Sequence, residues 1–226
     1  YCLVNRFPTP PGIDPAMLVI IGKTFISGRP IVAGYPPLVP FIMYAGGFEL
    51  TKVYGSLITS IAGFPTYLIV KRATKSSPAA VSAFILGASG SIFCAYESYL
   101  AWGTYASFTA ILISLFLVYL YLKATEDNSN KLVYIAAAIL SSLLALTHLF
   151  SLIFYLSMSS CILLQLKESA VRTLKLFACF IFPGVLSVPS ILASIQESVP
   201  NQAAVKASEM GWAESVSWIN SQFILF

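Results

Sequence analysis

Apolar residues run along the chain in long blocks separated by short polar breaks. Six of these blocks, at about 50–71, 77–97, 104–122, 132–147, 149–166 and 173–194, come near the roughly 20 mostly apolar residues that a membrane-spanning helix needs. Two shorter elements precede them. In "FPTPPGIDPAM", Asp14 can cap a helix, Pro15 suits its first turn and Gly28 can close it. That leaves about 13 residues, or roughly 20 Å, too short to cross a bilayer. Lys23 and Thr24 interrupt its apolar run, as suits a helix lying along the membrane surface. "PPLVPFIMYAGGF" (36–48) is likewise bounded by prolines and followed by Gly46 and Gly47, which predicts a second short surface or re-entrant helix.

Charge sorts these segments. Lys71, Arg72 and Lys75, then Lys123 and Lys131, then Lys167, Arg172 and Lys175 fall in alternate connections, and together make eight of the 13 Lys and Arg. By the positive-inside rule those connections are cytoplasmic. Residues 1–49, the loop around 98–103, the turn near 148 and everything after about 194 then lie on the external side, which gathers Asp14, Glu49, Glu97 and His148 on one face. Tyr96, Tyr99 and Trp102 fit an aromatic interface there. The expected organisation is an external loop with two juxtamembrane helices over 1–49, a transmembrane bundle over 50–194, and an external segment over 195–226. The fold class is all-α, a polytopic transmembrane helix bundle of about six spans, multi-pass in the cell membrane.

Composition agrees: hydrophobic residues are 58% of the 226 and charged residues 10%, unlike an ordinary soluble domain. The net charge of +4 is spread between apolar runs and forms no basic stripe, so nucleic acid is not an expected partner. Cys2, Cys94, Cys161 and Cys179 lie far apart in or beside apolar segments, without zinc-site or disulfide-framework spacing, and read as buried free thiols. The chain begins at Tyr1 and stops inside the apolar run "SQFILF", which reads as a fragment of a longer protein.

"GIDPAM...ISGRPIVAGYPPLVPF", "YLAWGTYAS" before the third apolar run and "ALTHLFSL" between two later ones resemble the integral-membrane glycosyltransferases of the GT-C superfamily, particularly their archaeal and bacterial members. The likeness is an order of elements over nearly the whole chain, with loose motifs. It implies transfer of a sugar from a polyprenyl- or dolichyl-phosphate donor to an acceptor on a sugar, lipid or protein. It also implies that the six spans match the second to seventh of the family's core. In that superfamily the first external loop carries two juxtamembrane helices and an acidic residue near the catalytic centre, and Asp14 matches that position. Glu97 in "AYESYLAW" is similar in location to a second acidic motif. A lone Glu departs from the DxD or ExD of metal-dependent members, which leaves Mg or Mn, held by Asp14 and Glu97, open as a cofactor. The oligosaccharyltransferase signature WWDYG is absent from the sequence, which points to a single sugar as cargo.

Such a transfer needs a base for the acceptor proton, charge stabilisation at the departing phosphate and a groove for the lipid tail. Asp14, at the water-facing edge of an apolar wall, is the candidate base, and a helix cap is the competing role. His148, the single histidine, can donate a hydrogen bond to the phosphate, or can pack in a helix turn bonded to a carbonyl. Arg29 and Lys23 can supply positive charge or snorkel to headgroups. Glu97, near the end of an apolar run, is costly there unless it reaches water or a partner. Tyr96, Tyr99, Trp102 and Tyr105 can stack on a sugar or line a lipid groove, as well as form an interfacial belt. Glu49 and Lys52 read as a surface ion pair. Gly63 with Pro65, and Pro183 with Pro189, are expected to kink their helices. The segment 195–222 is polar and carries no Asn-x-Ser/Thr acceptor.

A secondary transporter is the first alternative; it would place charges deep inside spans and repeat its halves, and neither feature emerges. A non-catalytic membrane scaffold is the second, with "GASGS" (87–91) as its small-residue face.

Overall fold

The computed structural model describes residues 14–26, 36–89, 105–126, 130–147, 151–164 and 169–186. Among these the fold is all-helical, with no strand. Helix α1 spans Asp14–Ile26, α2 Leu38–Thr74, α3 Ser77–Ala88, α4 Tyr105–Glu126, α5 Lys131–Ala145 and α6 Ser151–Leu163. Helix α7 starts at Ala170, passes through a π turn at Phe177–Ile181 and runs on to 186.

Helix α1 has the 13 residues that its Asp-Pro start predicts. Helix α2 is two helices in one. Gly47 takes φ 68° and ψ −173°, a backbone region that a side chain disfavours, and it ends the short stretch Leu38–Gly47. The long stretch follows it. Gly47 is the residue of α2 that leaves helical backbone angles, while Gly63 and Pro65 keep them.

Among the described residues, two stretches are long and apolar enough to cross a membrane: Val53–Thr74, 22 residues, and Tyr105–Thr125, 21 residues. At 1.5 Å per residue each reaches about 32 Å, close to the thickness of a bilayer's hydrocarbon core. Helix α5, at 15 residues, stops short of that, and α6 is described for 13 residues. Local chemistry ends α5: Thr147 Oγ1 donates to Leu144 O at 2.6 Å, and the Leu146 N–H turns back to Leu143 O. Helix α3 is described for 12 of the residues in its predicted span.

The helices alternate in direction. Lys75, in the left-handed region at φ 55°, turns α2 into α3, whose N-cap Ser76 accepts from Ala79 N. Across that hairpin Gly63 and Gly87 meet. A Cβ on Gly63 would come within 2.7 Å of Phe84 O, and one on Gly87 within 2.9 Å of Thr66 Oγ1, so neither position has room for a side chain. Helix α4 then runs parallel to α2, because Tyr105 bonds Thr51, Tyr54 bonds Thr109 and the Phe64 ring meets Phe116 in steady register.

The core divides along α4. One cluster joins α1, α2 and the first half of α4 through Leu18, Met43, Tyr54, Ile58, Tyr105 and Leu112. The other joins the second half of α4 to α5, α6 and α7 through Leu117, Ala137, Leu144, Met158, Ile162 and Phe180. In α7 the π turn precedes Pro183, which has no N–H to offer the carbonyl four residues back. The Phe182 N–H reaches Phe177 O, five residues back. Ser141 Oγ of α5 donates to Phe180 O at 2.8 Å, and Tyr155 OH of α6 donates to Ser141 O, so one serine ties three helices together.

Outward faces are also apolar. Ile135 and Ile139 on α5, Ile153 and Leu156 on α6, and Phe84 and Ile85 on α3 are all exposed. Cys161 lies on the outward face of α6 and is exposed, in contrast to the buried thiol expected; Cys179 is half-buried. Both are free, and Cys2 and Cys94 lie outside the described residues.

Replacing Ser141 with Ala removes the hydroxyl bound to the Phe180 carbonyl, and should destabilise the protein by about 1 kcal/mol. Replacing Gly63 with Val should push α3 off α2, at a cost of about 2–3 kcal/mol. Both are read as lowered midpoints of thermal unfolding in detergent. A Val at Gly63 that leaves the midpoint unchanged would show that the α2–α3 contact gives way freely.

Candidate functional site

Two opposite ends emerge from the alternating directions, and at one of them, among the predicted site residues, stands Tyr105 at the start of α4. Helix α1 lies on the first part of α2: a Cβ on Gly22 would sit 2.6 Å from Tyr44 Cβ and still closer to the Pro40 carbonyl oxygen. The start of α2 is bound to the end of α5 by a backbone hydrogen bond, Leu38 N–H to Leu146 O at 3.0 Å. The "PPL" turn therefore meets the "LT" turn, which His148 follows in sequence. The start of α4 joins them, since Tyr105 OH donates to Thr51 O at 2.7 Å.

Behind this end, α4 and the first residue of α6 border a half-open cleft of about 180 Å³ lined by Ser107, Ala110, Ile111, Ser114 and Ser151. Its wall is mostly apolar carbon, with three serines along it. At the other end lie Lys71, Arg72 and Lys75 around the α2–α3 turn, Lys123 and Lys131 around the α4–α5 connection, and Arg172 and Lys175 on the first turns of α7. Arg172 Nη2 donates to Ala124 O at 3.4 Å, which fixes the start of α7 against the last turns of α4.

Asp14 is the first residue of α1, and its side chain lies outside what is described. Lys23 is exposed in the last turn of the same helix. Tyr105 is 4% exposed: its hydroxyl is engaged with Thr51 O and its ring packs edge-on against Tyr54 at 5.6 Å. It braces α4 against α2 and presents almost no surface to a ligand. Arg29, Tyr96, Glu97, Tyr99, Trp102 and His148 lie outside the described residues. So does the Lys52 side chain, while Glu49 is exposed on α2. No three His, Cys, Asp or Glu gather among the described residues, so no Mg or Mn centre is built from them.

Two features carry no signal in the linear pattern. The first is the hydroxyl ladder between α2 and α4: Tyr54 OH and Thr109 Oγ1 lie 2.9 Å apart, and Thr109 Oγ1 also donates to Tyr105 O at 2.7 Å. The second is the serine-lined cleft. Ser107 and Ser114 are seven apart, which places them on one helix face, but Ser151 comes from another element.

The ladder predicts energetic coupling. Tyr54→Phe and Thr109→Val should each destabilise by about 1 kcal/mol, and the double variant should cost about 0.5–1 kcal/mol less than their sum. Additive losses in thermal unfolding would show that the two hydroxyls act independently. Set against known proteins, the chain has no match among family models, curated proteins or solved structures.

Proposed function

We propose that this chain is the membrane-embedded part of a glycosyltransferase of the GT-C kind, which moves a sugar from a polyprenyl-phosphate donor to an acceptor hydroxyl on the external face of the cell membrane. The six apolar segments cross the bilayer and the basic connections face the cytoplasm. Exposed apolar residues on α3, α5, α6 and α7, together with cations sorted to one end, support that placement.

Asp14 is the base. Its carboxylate takes the proton of the acceptor hydroxyl as that oxygen attacks the anomeric carbon of the donor sugar. The bond from that carbon to the phosphate oxygen breaks, and polyprenyl phosphate leaves with the electron pair. His148, Arg29 and Lys23 stabilise the departing phosphate. Glu97 holds the acceptor, and Tyr96, Tyr99 and Trp102 stack on the sugar. Tyr105 sets the start of α4, to which that aromatic segment is joined. No step requires a metal, although Asp14 and Glu97 are the residues that would hold one.

The observation that carries this reading is the hydrogen bond from Leu38 N–H to Leu146 O. It joins the start of α2, on which α1 packs, to the turn that continues in sequence into His148, and so supports a reading in which the acidic candidate and the candidate donor to phosphate work at one end. The competing demand on Asp14, capping α1, is compatible with the role of base, since Asn also caps a helix well.

That compatibility defines the test. In membranes carrying the protein, sugar transfer from a radiolabelled polyprenyl-phosphate sugar should fall by about 10²-fold or more in Asp14→Asn, at equal protein level. Full transfer by the variant would remove Asp14 from the mechanism. No transfer by either form across several donor sugars, with substrate flux in proteoliposomes, would replace the enzyme by a transporter.

A further inference from the structure

The end of the bundle away from α1 carries an arrangement that sugar transfer does not use. Lys71, Arg72, Lys75, Lys123, Lys131, Arg172 and Lys175 lie there; with Lys167 of the α6–α7 connection, the sequence of these helix ends and connections sets eight cations against three carboxylates, Glu126, Asp127 and Glu168. That excess is larger than the net +4 of the whole chain, so everything else is slightly negative. Lys75, Lys131 and Lys175 are exposed there.

The cations alternate with strongly exposed large apolar residues. Leu132, 72% exposed, follows Lys131, and Leu174, 71% exposed, precedes Lys175. Val171 at 65% flanks Arg172, and Leu164 at 79% follows the last residue of α6. A nucleic acid or an acidic soluble protein would satisfy the lysines and leave these leucines in water. A ligand with a phosphate on an apolar tail satisfies both at once.

We propose that this end is a docking surface for anionic phospholipid. Lys75, Lys131 and Lys175 take the headgroup phosphates, and Leu132, Val171 and Leu174 lie against the first carbons of the acyl chains. Charge complementarity names the headgroup, and the interleaved apolar residues name the tail. The surface rests on the membrane-spanning reading above and is independent of sugar transfer, which is assigned to the opposite end.

The test uses the protein purified in a neutral detergent, with thermal stabilisation followed as lipid is added. Dioleoyl phosphatidylglycerol should stabilise it at a concentration about tenfold or more below that needed for dioleoyl phosphatidylcholine. The preference should shrink at high salt, where surface charges are screened. The variant Lys75→Gln/Lys131→Gln/Lys175→Gln should keep its stabilisation by phosphatidylcholine, which shows that it folds, and lose the preference. Equal response to the two lipids, a variant that retains the preference, or the same stabilisation by soluble polyphosphate would each overturn the proposal. Stabilisation by neither lipid would remove the membrane-spanning reading and this inference with it, while leaving the role of Asp14 to its own assay.

Discussion

Buried hydroxyls must find partners, and on the two longest helices they find them in each other. Thr51, Tyr54, Tyr105 and Thr109 form a ladder that holds α4 parallel to α2 at a fixed height. No short turn joins these helices, because α3 and the residues after it lie between them. A slip by one turn would leave the Tyr105 and Tyr54 hydroxyls facing carbon, and a buried polar group without a partner is costly. The ladder therefore sets the height of α4, and α4 carries the rest: its first half closes one core with α1 and α2, and its second half closes another with α5, α6 and α7.

Polar satisfaction also shapes the second core. The backbone of α7 opens into a π turn ahead of Pro183, and at that turn Ser141 donates its hydroxyl to the Phe180 carbonyl. Tyr155 in turn donates to the Ser141 carbonyl. Between helices whose inward and outward faces are both apolar, hydrophobicity alone does not choose which face turns in. Directed hydroxyl bonds and close contacts at Gly22, Gly63 and Gly87 make that choice, since each works at one register only.

Consequences for the two ends follow from helix direction. Once α2 and α4 run parallel, with α3, α5 and α7 opposed to them, all the basic connections fall at one end and the α1 segment, the start of α4 and the "LT" turn at the other. A polar reaction on an apolar donor suits such an arrangement. In the sugar transfer we propose, water and acceptor are met at one end, and the cations of the helix connections are kept at the other.

Much of the secondary structure was legible because its causes are local. Asp14 with Pro15, the prolines before Leu38 and Gly47 act within a few residues, so α1 and the short first part of α2 could be read with near-correct bounds. The apolar runs likewise announced α2 and α4 at spanning length. Composition says nothing about how far a neighbouring element reaches, so the sequence did not reveal that Tyr105 is a buried brace, that α7 contains a π turn or that Cys161 faces outward. The sequence by itself determined an all-helical chain with its charges placed between apolar helices. Only the tertiary structure decided which helices are parallel neighbours, and that Leu38 meets Leu146. Those contacts depend on hydroxyls, glycines and a proline whose partners lie far away in the chain, where no periodicity can point to them.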